Sequence, residues 1–254
     1  MSYNHVLADL YDALKAGEDY AAWADLVVGL LDRWSPPGRR MLDVGCGTGN
    51  SSAAFVDRGF SVVGCDISEA MLTQAQRKFF EKGMPFLAAD MRSLPHGLNG
   101  FDTVLWMDDV ANHLLAEADL LAALRESCRV LSDGGLLVFD VNNRAAFRTV
   151  FSEWRVVPSR EALLVWQGQT FEFTPGGLGR VHLTAFTRSR KGVRRRDADI
   201  VERHFPPDVV ETIIGRSGLS LVGAFGLGGG RLHPPDEDRF MKTIYVAQRE
   251  RAGA

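Results

Sequence analysis

The chain has 254 residues, 46% hydrophobic and 24% charged, a soluble globular composition with enough apolar material for one sizeable core. Its formal net charge of -3 argues against a protein that coats nucleic acid or anionic lipid, and no apolar run reaches the roughly 18 to 20 residues of a membrane span. The three cysteines, Cys46, Cys65 and Cys128, are widely spaced without metal-ligand pairing; with an N-terminal stretch that lacks the basic start and apolar run of a signal peptide, they lead us to expect a cytoplasmic protein.

After an amphipathic N-terminal segment, apolar strands alternate with helical stretches. "RRMLDVG" reads as a strand and "NSSAAFVDRG" as a helix closed by Gly59. "FSVVGCD" is a strand; "SEAMLTQAQRKFFEKG" is a helix with Ser68 as N-cap and Gly83 just past its end. "MPFLAAD" and "FDTVLWM" are strands, the second continuously apolar as a doubly covered strand should be. The helix "EADLLAALRESCRVL" leads into the strand "GGLLVFDV". This alternation predicts a parallel sheet with helices on both faces. From about 151 to 204 the rhythm changes to "EALLVWQGQTFEF", "GRVHLTAFTRSR" and "VRRRDADIVERHF", separated by glycine turns, an antiparallel meander. A helix, "PPDVVETIIGRSG", and two strands, "LSLVGAFG" and "RFMKTIYVAQ", complete the chain.

The stretch "MLDVGCGTGN" carries the strongest functional signal. A dinucleotide fingerprint reads G-x-G-x-x-G and holds a pyrophosphate on backbone amides and a helix N-terminus. Gly45, Gly47 and Gly49 are one residue tighter, and Asp43 sets a carboxylate where phosphates would lie. That acid suits a ligand bringing a cation, such as an α-amino group, met directly or through water. Asp66 closes the second strand 21 residues beyond Gly45, where an acid commonly accepts from ribose hydroxyls. Asp90 ends the third strand beside Met91, a pair able to accept from an adenine amino group and cover its ring. Each acid alone also reads as a cap or turn residue; three in order at successive strand ends are far more specific.

With these residues in place, the sequence resembles the class I S-adenosylmethionine-dependent methyltransferases over roughly residues 5 to 145, and more loosely beyond. "LDVGCGTG", "GCDIS" and "AADM" match that family's first motif, ribose acid and adenine-side acid. The resemblance implies that S-adenosyl-L-methionine binds with its methionyl end against Asp43, Gly45, Cys46 and Gly47, with Gly49 completing the loop. Asp66 would hold the ribose, Ile67, Met71, Asp90 and Met91 would surround the adenine, and Met107 or Asp108 would line the donor channel. "ADLYDALKAGEDY" and the later "HL" are similar to the sugar-amine N-methyltransferases of antibiotic biosynthesis. That likeness implies Tyr11 and His113 at the acceptor and Tyr20 closing the donor's amino-acid end. The "ERHF" strand also resembles broader small-molecule methyltransferases, so the subfamily stays open.

His113 is the natural general base, because methyl transfer from a sulfonium needs alignment and removal of a proton. A Mg²⁺-dependent O-methyltransferase is the competing mechanism: Asp108, Asp109, Asp140 and Asn142 offer oxygen ligands, although Val141 separates the last two. Readings of another class are an NAD-type oxidoreductase and a non-catalytic donor-binding protein. Nucleic acid is set aside, since "MDDVANH" lacks the Asn/Asp-Pro-Pro-aromatic motif of base-amino methylases. The basic run Arg188, Arg190, Lys191 and Arg194 to Arg196 reads as a solvated hairpin turn.

The expected fold is a seven-stranded class I methyltransferase sheet with helices on both faces. Residues 1–150 would form the donor-binding core, and 151–204 an antiparallel acceptor lid and a possible homodimer surface. Residues 205–254 would supply the closing helix and last two strands. The expected partner is a small-molecule acceptor, with neither nucleic acid nor membrane.

Overall fold

The computed structural model describes residues 5–158, 162–189 and 192–251, whose strands divide between two sheets. Two amphipathic helices, α1 (His5–Leu14) and α2 (Tyr20–Trp34), precede the first strand. The alternating part follows as β1 (Arg40–Val44), α3 (Asn50–Val56), β2 (Ser61–Asp66), α4 (Glu69–Lys78), β3 (Phe86–Ala88), β4 (Phe101–Trp106), α5 (Glu117–Val130) and β5 (Leu131–Asn142). Ser68 caps α4 by accepting from the Met71 amide, and Gly83 sits at φ +62° just past a short 3-10 turn. Every residue of β4 is buried, because Val104 and Trp106 pack on one side of the sheet and Leu105 on the other.

After a short helix, α6 (Arg144–Thr149), the chain enters the second sheet: β6 (Trp154–Pro158), β7 (Ala162–Gly168), β8 (Leu178–Ser189) and β9 (Gly192–Arg203), antiparallel in that order. The meander predicted from sequence is therefore present. Its first long strand ends at Gly168 rather than running through "QTFEF", because the backbone there presses on Phe151: a Cβ at Gly168 would lie 2.4 Å from the Phe151 carbonyl oxygen. The inner face of this sheet packs Leu164, Leu183 and Ile200 on Leu10 of α1 and on Phe147 and Phe151. Arg190 and Lys191, part of the basic run, lie outside the described residues.

The chain then returns through α7 (Pro207–Ser217), capped by Gly218 at φ +92°, to β10 (Leu219–Gly228), β11 (Arg231–His233) and β12 (Lys242–Arg249). The main sheet has the order β11-β10-β12-β5-β4-β1-β2-β3, parallel from β5 to β3 and antiparallel at β12, β10 and β11. It holds eight strands where seven were expected. The extra one is β11, folded back on β10 by the two-residue turn Gly229–Gly230, both at positive φ as such hairpins require. Beyond this edge strand, the architecture is the mixed α/β class I methyltransferase fold with a separate antiparallel sheet. No helix among the described residues is long and apolar enough to cross a membrane.

Candidate functional site

Strand order reverses at β1 and β4: the chain progresses outward through β2 and β3 on one side and through β5 on the other. The loops leaving these two strands therefore diverge, and open α/β sheets bind ligands in the resulting crevice. Here the crevice is a cavity of about 270 Å³, continued by a smaller one of about 40 Å³. Tyr11, Gly45, Met107 and Asp108 line both.

The glycine loop forms the floor. Gly45 sits at φ +71°, and a Cβ there would lie 2.6 Å from Val110, so both conformation and space demand glycine. Gly47 donates its N–H to the Asp66 carboxylate at 2.9 Å, and Ser68 donates to the other oxygen at 2.8 Å. Burial raises the Asp66 carboxyl above its ordinary value while these two bonds oppose the rise. Gly49 caps α3 at φ +83° and faces Phe79, Phe86 and Ala75, so it serves packing rather than the cavity wall. Asp43 also lies behind the wall: its carboxylate accepts from the hydroxyls of Ser51 at 2.7 Å and Ser52 at 2.5 Å, and burial pushes it up to about 6. It ties β1 to the first turn of α3.

Ile67, Met71, Asp90 and Met91 join Gly45, Gly47 and Asp66 around the larger cavity, while Cys46 and Tyr20 line the smaller one with Asn50 and Ser51. The Asp90 carboxylate is held by Arg92 at 2.7 Å, and the same guanidinium reaches Asp119 at 3.0 Å. Arg92 was not anticipated from sequence. Ile67 is 53% exposed although it lines the cavity, an apolar side chain awaiting a cover.

The opposite wall is built by the loop after β4. His113 ends a 3-10 turn, Val110–His113, which is clamped through Asn112: its amide donates to the Arg203 carbonyl of β9, and its oxygen accepts from the Asn142 N–H of β5, both at 2.8 Å. The imidazole lines the cavity and hydrogen-bonds the Val201 backbone; burial pulls it down to about 4 against the raising effect of Asp108. Tyr11 faces the same space, its hydroxyl donating to Asp108 at 3.2 Å, and burial holds the phenol well above its ordinary range.

Beneath this wall lies a buried charge cluster. Lys242 reaches Asp140 at 2.8 Å, Asp109 at 2.9 Å and Asp108 at 3.0 Å; Lys15 reaches Asp108 at 2.5 Å. Burial alone would discharge Lys242, but the three carboxylates outweigh it and hold the ammonium well above its usual value. Asp108 and Asp109 adopt left-handed conformations, φ +67° and +60°, stabilised as both N–H groups donate to Asp140 at 2.6 and 3.1 Å. The oxygen ligands weighed for Mg²⁺ thus surround a lysine ammonium, and the Asn142 amide is turned to donate to Glu202 at 2.8 Å. This donor set does not fit a metal ion. In the "ERHF" segment, Glu202 enters the cluster, whereas His204 leaves it to pair with Glu237 at 3.1 Å.

Sequence reasoning missed both lysines. Lys15 follows Tyr11 by one helical turn, a usable signal; Lys242 is a lone cation opening an apolar strand, and only the fold reveals that three strand-end acids converge on it.

A family described as a methyltransferase domain matches residues 41–135. The YqeM protein of Bacillus subtilis (strain 168), named as a methyltransferase, is 30% identical over 218 residues, covering 84% of this chain and 85% of YqeM. An S-adenosylmethionine-dependent methyltransferase from Clostridium acetobutylicum ATCC 824 superposes with a TM-score of 0.82 at 21% identity, covering 98% of this chain and 99% of that one. The sugar N-methyltransferase KedS8 from Streptoalloteichus sp ATCC 53650 gives a TM-score of 0.76 at 25% identity, covering 95% and 92%.

Proposed function

Because the chain belongs to the S-adenosylmethionine-dependent methyltransferases, we propose that it methylates a nitrogen or oxygen atom of a small-molecule acceptor seated between Tyr11, His113 and the lid sheet. The observation that carries this reading is one continuous crevice with two unlike walls: a glycine loop with Asp66 on one side, a tyrosine and a neutral histidine on the other. The fold and family give S-adenosyl-L-methionine as methyl donor. The residues present fit it: an acid with carboxylate bonds already ordered by loop amides, an uncovered Ile67 beside Met71 and Met91, and a polar side chamber at Tyr20, Cys46 and Asn50.

In this reading Asp66 accepts from the ribose, and Ile67, Met71 and Met91 cover the adenine, with Asp90 near its edge. Gly45, Cys46, Gly47 and Tyr20 enclose the amino-acid end. Asp43 and Gly49 act from behind by fixing the loop. Met107 and Asp108 line the channel between the chambers. The donor supplies a methyl group on a sulfonium, so what the protein adds is alignment, exclusion of water and a place for the acceptor's proton. Tyr11, anchored to Asp108, orients the acceptor, and His113, uncharged at neutral pH, takes the proton.

Replacing Asp66 with alanine leaves the ribose without its acceptor and frees the Gly47 and Ser68 amides. The expected loss is ~1 to 3 kcal/mol of donor affinity, about 5- to 150-fold in Kd, read by calorimetry with S-adenosylhomocysteine. An unchanged Kd would remove Asp66 from the site.

The likeness to KedS8, a sugar N-methyltransferase, supports an amino-sugar acceptor and a place in natural-product biosynthesis. The β6–β9 sheet, with residues 151–204 as the acceptor lid, is also our proposed homodimer surface, because its outer face exposes Trp154 at 68%, Val156 at 61% and Leu163 at 42%. Light scattering should give a dimer mass for the wild type and a monomer mass for Trp154→Glu. A wild-type monomer at high concentration would refute this surface.

A further inference from the structure

Two carboxyl groups of the buried cluster have no role in the reading above. Asp109, from the loop after β4, and Glu202, from β9, stand behind His113, and a carboxylate oxygen of each and a ring nitrogen of His113 all lie within 4.8 Å of one another. The two side chains are themselves hydrogen-bonded. Neither carboxyl lines the cavity, whereas His113 does.

The groups facing this trio come from four elements. Asp108 adjoins it on the same loop, Asp140 and Asn142 project from β5, Lys242 from β12 and Lys15 reaches in from the end of α1. Four carboxyl groups therefore meet two ammonium groups. Among the described residues the cluster thus holds two more carboxyls than ammonium groups, and Asp109, although it also meets Lys242 at 2.9 Å, lies directly against Glu202. Two ionised carboxylates in contact and out of water repel, so the arrangement requires a proton between them.

We propose that Asp109 and Glu202 form a proton-sharing pair that acts through His113 as the sink for the proton released on methylation. The inference rests on the acceptor position proposed above. As the new bond from the acceptor nitrogen or oxygen to the methyl carbon forms, the carbon–sulfur bond breaks and its electron pair stays on sulfur. The acceptor's proton passes to the imidazole and from there to the ionised member of the pair. The sulfonium charge that entered the cavity is thereby replaced by one bound proton, and the pair, singly charged before, becomes neutral.

The surroundings favour this direction. Burial, opposed by Lys242, brings Asp109 up to about 6, and burial beside Asp109 raises Glu202 well above the usual carboxyl range. His113, pulled down to about 4 by its own burial, holds a proton poorly and passes it on. Asp109 and Glu202 touch no reacting atom; they position and discharge His113.

The pair predicts a proton linkage that needs no acceptor. A sulfonium beside His113 favours the singly charged pair, and a neutral thioether favours the protonated one. Calorimetric titration of the wild type at pH 7, in two buffers of different ionisation enthalpy, should show S-adenosylmethionine releasing more protons than S-adenosylhomocysteine, by up to about one per chain. In Glu202→Gln both ligands should bind within about threefold of wild type and the difference should vanish; Glu202→Asp should restore part of it. An equal proton count for the two ligands in the wild type, or a difference that survives in Glu202→Gln, overturns the proposal. Infrared spectra of the unliganded wild type, labelled with ¹³C-glutamate or ¹³C-aspartate, provide a readout independent of variant folding and of the acceptor reading. A protonated carboxyl band at neutral pH that shifts with the label supports the pair. Its absence, or a stoichiometric divalent cation found by elemental analysis, overturns it.

Discussion

Replacing Lys242 with alanine is expected to lower the unfolding free energy by ~3 to 5 kcal/mol, the cost of stripping the cation from a buried ionic cluster. Asp140 is fully buried, and Asp108 and Asp109 keep only 24% and 16% of their side-chain surface exposed, so water cannot replace the ammonium. For a chain of this length the melting temperature should fall by roughly 6 to 20 °C. The sign with pH follows from the groups left behind. In the variant the orphaned carboxyls are raised in the folded state, so ionising them opposes folding; the deficit is full above the raised folded value and shrinks as pH falls toward the unfolded one. Denaturant unfolding at pH 8 and pH 5 checks both parts. A loss below about 1 kcal/mol at pH 8 would mean that the carboxylates are not held by this lysine. The two left-handed residues Asp108 and Asp109 give a second consequence: without Lys242 the loop that carries His113 loses one of its anchors, beside Asp140 and the Asn112 clamp, and turnover should fall with stability.

Replacing His113 with alanine should lower turnover by roughly 10² to 10⁴ at neutral pH, the range for loss of a positioned general base. Donor affinity should stay almost unchanged, because Asp66, the glycine loop and the Tyr20 chamber lie on the other wall. The imidazole, at about 4, is already uncharged at pH 7, so the wild-type rate should not fall through the usual histidine range near 6.5 because of His113 itself. Steady-state rates of the two proteins with one acceptor, and calorimetry with S-adenosylhomocysteine, separate the effects. A loss of less than about tenfold would leave alignment as the mechanism and an acceptor that arrives deprotonated.

What the sequence disclosed and what it hid have physical reasons. The parallel core was legible because β1, β2 and β4 are apolar runs punctuated by helix caps such as Ser68 and by Gly83. Spacing alone put Gly45, Gly47 and Asp66 at adjacent strand ends, and the structure joins Gly47 to Asp66 by a hydrogen bond. β11 escaped notice because three residues after Gly229–Gly230 carry no periodicity. Asp43, expected to meet a ligand's cation directly or through water, accepts from the hydroxyls of Ser51 and Ser52 eight and nine residues on, a pairing that its strand-end position alone does not signal. The charge cluster was hidden for a different reason. The acids Asp108, Asp109 and Asp140 are already grouped by their places after β4 and on β5, but Lys15, Glu202 and Lys242 come from the end of α1, β9 and β12, and no local pattern signals that they converge on those acids.

The central claim, a donor on the Asp66 wall with its reacting centre turned toward His113 and Tyr11, is tested most directly by a crystal structure with S-adenosylhomocysteine. The ribose hydroxyls are expected on Asp66, the amino-acid end in the chamber of Tyr20 and Asn50, and the sulfur in the channel between Met107 and Asp108, facing the His113 imidazole across the cavity. A sulfur whose open side points away from His113 and Tyr11, or a ligand seated without contact to Asp66, would contradict it.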